Sequence, residues 1–144
     1  MKAILISLIS LFCVNLYAPP SQPFPTKEQS YQFTILTNPQ FRIYYPLIKA
    51  IVYVESRGND SAYNEKEGAK GAYQVRKIRI DHFNRLTGKN YQHDEMYNYY
   101  KSTEVFLYFA EGKSYEKAAR NWNGKWELTE GYWAKVNQHL ISQL

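Results

Sequence analysis

Cysteine is almost missing from this chain: Cys13 stands alone among 144 residues. One thiol excludes a disulfide framework, so stability has to come from packing. Metal chemistry is as poorly supplied, because the three histidines, His82, His93 and His139, have no metal-ligand spacing with Asp or Cys. There is no glycine-rich phosphate loop, no serine nucleophile elbow and no internal repeat. No metal or nucleotide cofactor is therefore expected. The apolar run from Ala3 to Val14 is too short to span a bilayer comfortably, and no tight membrane association is expected.

What is present bounds the class. With 44% hydrophobic and 17% aromatic residues, the chain can build the core of one compact domain, which excludes disorder throughout. The formal charge is +5, and loss of Lys2 with a leader would leave +4, which favours anionic partners without choosing among them. Residues 1–18 read as an export signal, with Lys2 before the apolar run and Ala18 as the small residue at a cleavage site. Lipidation of Cys13 is disfavoured, since Phe12 is bulky where a lipoprotein signal takes a small residue. A periplasmic or secreted protein is expected.

Four of the six prolines fall between Pro19 and Ser30, so residues 19–39 read as a linker or arm. Within it, Tyr31 to Leu36 alternates apolar and polar residues, which predicts a short strand or extended arm closed by Asn38-Pro39. The folded domain is expected over residues 40–144.

The chain is organised around Glu55. Pro46 can open a helix at its first position, and Ile48, Ile51 and Val52 share one face with Glu55 beyond them. Gly58 supplies a left-handed stop, so the carboxylate sits in the last helical turn, on an apolar stripe, beside the negative end of the helix dipole. Burial and dipole both push its pKa upward, as a general acid requires near neutral pH. Further on, Gly68 and Gly71 permit a tight turn and close backbone approach, and Gln74 offers a donor and an acceptor, a set that suits a sugar.

The remaining segments read as helices. One runs from about Lys77 to Leu86 and stops at Gly88; its Arg76, Lys77, Arg79 and Arg85 read as a solvated basic face, since no nucleic-acid signature accompanies them. Asp94 is expected to cap a long helix to about Glu111 with Met96, Tyr100, Thr103, Leu107 and Ala110 on one stripe. Ser114 caps the next, which ends at Trp122, Asn123 and Gly124. Thr129 starts the last, with Trp133, Val136, Leu140 and Leu144 on one face.

Together these motifs carry a resemblance. Glu55-Ser56, the polar loop after it, Gly68-Ala69-Lys70-Gly71-Ala72-Tyr73-Gln74, and Ala118-Ala119-Arg120-Asn121-Trp122-Asn123-Gly124 resemble, in order, the three motifs of the soluble lytic transglycosylases, relatives of goose-type lysozyme. Asp94 and Asn98 keep the spacing of the family's intervening Asp-x-x-x-Asn, and Tyr132 with Lys135-Val136 its closing Tyr-x-x-Lys-Val. Trp122 stands where the family has Tyr, so that hydroxyl has no counterpart there.

The resemblance implies a mainly α, lysozyme-like single domain with a few strand-like residues between Gly58 and Tyr73 beside the cleft. It implies cleavage of the β-1,4 bond between N-acetylmuramic acid and N-acetylglucosamine in peptidoglycan. Glu55 would be the catalytic acid and base, and Ser56, Tyr73, Gln74, Trp122 and Asn123 the substrate contacts. Peptidoglycan strands would be the partner, in wall remodelling or beside a secretion, conjugation or phage-entry assembly, with no nucleic acid. Two other readings stand beside it. A goose-type hydrolase would use water and a second carboxylate from Asp60, Glu65 or Glu67; a non-catalytic wall-binding or assembly protein would keep the cleft alone.

Overall fold

Thr26 and Gln29 close a capping box at the first helix, each side chain accepting a hydrogen bond from the other's backbone N–H. This is α1, Lys27–Thr37, in a computed structural model that describes residues 25–124 and 126–143. The expected leader over residues 1–18, Cys13 and the prolines up to Pro23 lie outside the described residues.

The strand or arm expected over Tyr31 to Leu36 is corrected to helix. Alternation would have placed Tyr31, Phe33 and Ile35 on one face, yet Phe33 is 69% exposed whereas Ile35 is buried. Tyr31 and Ile35 instead turn inward together, four residues apart. Tyr31 Oη meets Tyr91 Oη at 2.9 Å and donates to Glu104, which also pairs with Lys89, and these contacts fasten α1 to the body.

The second helix, α2, runs Pro39–Ser56. Asn38 and Pro39 open it and do not close a strand: Asn38 Oδ1 accepts from Gln40 N at 2.8 Å, and proline at the first position gives up an N–H that would be unpaired anyway. Pro46, expected to open the helix, lies inside it on the exposed side. An interior proline costs about 3 kcal/mol. Phe41, Tyr44, Leu47, Ile48, Ile51 and Val52 are all buried on the opposite side, and at roughly 1.5–3 kcal/mol each their burial exceeds that cost.

After α2 come two short antiparallel strands, β1 (Tyr63–Asn64) and β2 (Ala69–Lys70), with Tyr63 opposite Lys70. Gly71 follows at φ 75°, and a Cβ there would lie 2.0 Å from the carbonyl oxygen of Met96. Only glycine lets these two backbones meet.

Helix α3 spans Lys77–Thr87 and ends at Gly88 in the left-handed region. Asp94 does not cap the next helix. His93–Tyr97 forms a separate 3-10 turn, and Asn98 Oδ1 caps α4, Tyr99–Ala110, by accepting from Lys101 N at 3.0 Å. Asp94 pairs instead with Lys70. Helix α5 spans Tyr115–Asn123 behind its Ser114 cap, and α6 spans Glu130–Ile141.

The result is mainly helical, with α2 packed on α6 and α4 on α5. Val105, Phe106 and Leu107, consecutive on α4, are all buried, so α4 is covered on more than one side. Tyr73, Ile80, Phe83, Met96, Ala119 and Val136 complete the core around it. Among the described residues no helix is long and apolar enough to cross a membrane.

Candidate functional site

Glu55 takes the place its spacing predicts, in the last turn of α2 next along the stripe of buried Ile48, Ile51 and Val52. The helix stops one residue earlier than expected. Arg57 is already left-handed at φ 57°, an uncommon conformation for a residue with a side chain, and Gly58 continues it at φ 81°. The Arg57 guanidinium lies 4.7 Å from the Tyr53 ring centre and donates to Tyr53 Oη at 2.5 Å.

A phenol hydroxyl reaches the Glu55 carboxyl from a distant part of the chain. Tyr132, in the first turn of α6, donates from Oη to Glu55 Oε1 at 2.7 Å. Sequence reasoning noted Tyr132 as part of a motif and missed this role. A signal existed: Tyr132, Val136 and Leu140 recur every four residues, and all three pack into the core.

The Glu55 carboxyl is pushed up from 4.5 to about 7. Burial is the main cause; Glu67 adds to it, whereas the Tyr132 hydrogen bond and the Arg76 charge oppose it. Burial keeps the Tyr132 phenol far above its ordinary range as well, so it remains a donor.

Glu55 lines a polar cleft of about 250 Å³. One wall comes from the strand region, with Asn64, Glu67 and Ala69; the chain entering α3 contributes Gln74, Val75, Arg76 and Arg79; the end of α5 contributes Trp122 and Asn123. The cleft thus lies where the end of α2, the start of α3 and the end of α5 converge.

The structure brings Gln74, Trp122 and Asn123 to Glu55 but separates Ser56 and Tyr73 from the cleft. Gln74 stands at φ 49° and donates through Nε2 to the Gly71 carbonyl at 2.9 Å. Trp122 is only 6% exposed, and its Nε1 donates to the Tyr73 carbonyl at 3.2 Å. It forms part of the wall and is no open stacking platform. Ser56 Oγ is shared between the Val52 and Ala72 carbonyls and accepts from Asn59 N at 3.1 Å, tying the helix end to the loop. Tyr73, expected as a substrate contact, is a correction. It is fully buried, its hydroxyl bonded to Thr103 Oγ1 at 2.8 Å and its ring set against Phe106 and Trp122.

The basic segment is corrected in part. Lys77 and Arg85 are exposed, whereas Arg76 and Arg79 turn inward and line the cleft. Of the three loop carboxylates, Glu67 lines the cleft and Asp60 and Glu65 do not. Among the described residues no group of three or more His, Cys, Asp or Glu side chains converges to hold a metal ion. Comparison of the chain with protein-family models, with curated proteins and with solved structures gives no match.

Proposed function

We propose that the protein is an exported lytic transglycosylase of lysozyme-like fold. It cleaves the β-1,4 bond between N-acetylmuramic acid and N-acetylglucosamine in peptidoglycan. The observation that carries this reading is the desolvated carboxyl of Glu55, raised to about 7 and held by Tyr132 in a polar cleft. A carboxylic acid with that pKa is half protonated at neutral pH and can both give and take a proton.

In the first step the Glu55 proton passes to the glycosidic oxygen, and the bond from that oxygen to C1 of the muramic residue breaks. The N-acetyl group assists at C1 in place of a second carboxylate. In the second step the 6-hydroxyl of the same residue attacks C1 and its proton returns to Glu55. The product is a 1,6-anhydro end, and no water is consumed. Tyr132 fixes Oε1, leaving Oε2 for the proton, and Gln74 and Asn123 line the cleft as polar contacts for the sugar.

One observation favours a second reading. Glu67 shares the cleft with Glu55, and a second carboxylate across a glycan can activate water for hydrolysis with inversion. Mass spectrometry of released muropeptides separates the two: anhydro ends are expected, and reducing ends would replace the transglycosylase by the hydrolase. Loss of all activity in Glu55→Gln is expected in either case, and near-native activity in that variant would overturn both.

A further inference from the structure

Arg76 and Arg79 carry charge that the fold leaves incompletely compensated. Arg76 donates through Nη2 to the Asn123 carbonyl at 2.8 Å, and Arg79 through Nη2 to the carbonyls of Asn121 at 2.8 Å and Trp122 at 3.0 Å. These carbonyls end α5, and the negative pole of a helix is equivalent to only about half a charge. Two guanidiniums exceed it. The carboxyls near them are Glu55, which feels the Arg76 charge, and Glu67, 3.8 Å from Arg76 Nη1, the Glu67 and Arg76 side chains being 52% and 41% exposed respectively. Arg79 has no carboxylate partner among the described residues, although it is half-buried against the rings of Phe109 and Trp122 at 4.8 and 5.2 Å. Burial and the neighbouring Arg76 both lower its pKa. A desolvated cation in this setting gains most from an added anion.

The same two arginines form the ridge between the Glu55 cleft and a second groove of about 520 Å³ along α3. That groove also holds Ile78, which is 76% exposed, His82 and Arg85. Its acidic member, Asp81, is held by Lys77 at 2.7 Å. A branch leaving the cleft over this ridge meets guanidiniums first and then an exposed apolar side chain.

We propose that Arg76 and Arg79 form a carboxylate subsite for the peptide branch of the glycan, which then runs along the α3 groove toward Arg85. The proposal rests on the peptidoglycan reading, in which muramic acid bears an acidic peptide through its lactyl group. The Nη2 bonds leave Nη1 and Nε of Arg79 for a carboxylate, and Nε of Arg76 beside the half-exposed Glu67 contact at its Nη1. The site therefore selects strands by the charge of their peptides as well as by their sugars.

The test compares native strands with strands whose peptide carboxylates have been converted to carboxamides by carbodiimide and excess ammonium. Wild-type kcat/KM should favour native strands by about tenfold, chiefly through KM, as one charge-assisted contact would give. The preference should fall to about one in Arg76→Gln/Arg79→Gln. Because the ratio is taken on one protein with two substrates, partial loss of folded enzyme cancels. If the double variant does not fold, Arg76→Gln alone should lower the ratio about threefold, and Arg79→Lys, which keeps the charge without the fork, should lower it in part. Equal rates on the two substrates in the wild type, or a ratio that survives the substitutions, would overturn the subsite. A wild type that cleaves neither strand would defeat the lytic reading instead. Calorimetric titration of Glu55→Gln with a soluble disaccharide-peptide and its carboxamide then decides the subsite, and equal affinities would reject it.

Discussion

Replacing Glu55 by glutamine should abolish activity and stabilise the fold at neutral and alkaline pH. In the unfolded chain the carboxyl titrates near 4.5, and in the fold near 7. Below pH 4.5 both states hold the proton and the group has no pH-dependent effect. Between 4.5 and 7 the unfolded chain releases it while the folded protein keeps it, so stability declines as pH rises, and above 7 the loss is complete. At 1.36 kcal/mol for each tenfold change, the full loss is about 3 kcal/mol. Glutamine keeps the shape and can still accept from Tyr132, but it never ionises. Urea unfolding of wild type and Glu55→Gln at pH 4 and pH 8 isolates the effect, because every other titrating group cancels in the difference. The variant should gain about 3 kcal/mol on the wild type between the two pH values, or about 10 °C in Tm. A difference that stays constant within about 0.5 kcal/mol would show that Glu55 is not desolvated as described.

Three further substitutions probe the supports of the site. Tyr132→Phe removes a donor that favours the carboxylate, so the alkaline limb of the pH–rate profile should move upward from about 7 and kcat should drop about tenfold; a limb that moves downward would contradict this. Gly71→Ala places a Cβ 2.0 Å from the Met96 oxygen and should cost roughly 3 kcal/mol or more, whereas Gly68→Ala, with nothing within 4 Å, should cost about 1 kcal/mol for its positive φ alone. Similar losses at the two glycines by chemical denaturation would refute the close approach. Tyr31→Phe should lose roughly 1–2 kcal/mol through its bonds to Glu104 and Tyr91 and leave kcat near the wild-type value; no change in stability would mean that α1 is held by its apolar contacts alone.

Helices whose signals are local were legible in the sequence. Gly88 stops α3 and Ser114 opens α5 where their chemistry predicts, because a left-handed glycine and a capping hydroxyl act within a few residues. The errors all fall where one residue type permits two readings. Pro46 reads as a helix start because proline is favoured there, yet α2 carries it on the exposed side because the buried side holds six large apolar residues. Asp94 and Asn98 are both capping types four residues apart. The second is the one whose side chain caps the helix, while Asp94 lies in the 3-10 turn and pairs with Lys70, a contact invisible before the chain folds. Tyr31 to Leu36 alternates like a strand, but the Thr26–Gln29 capping box opens a helix ahead of it, and Tyr91 and Glu104 on the body receive Tyr31.

The candidate site divides in the same way. Glu55 was legible from its own helix, since the apolar stripe and the helix end are both local. Tyr132 was not, because its partner lies seventy-seven residues away and no local pattern joins a phenol on α6 to a carboxyl on α2. Arg79, and in part Arg76, were misread as solvated for a related reason: what draws them is the set of carbonyls at the end of α5, which comes within reach only once α3 and α5 both pack against α4. That placement also reconciles two demands on the cleft. A guanidinium close to Glu55 lowers its pKa and works against a proton donor, so a basic cleft and a raised carboxyl are in tension. The α5 carbonyls hold one nitrogen of each arginine, and Glu67 offsets part of the Arg76 charge while raising Glu55 directly. Burial then remains the largest influence on Glu55, and its carboxyl stays raised although Arg76 shares the cleft.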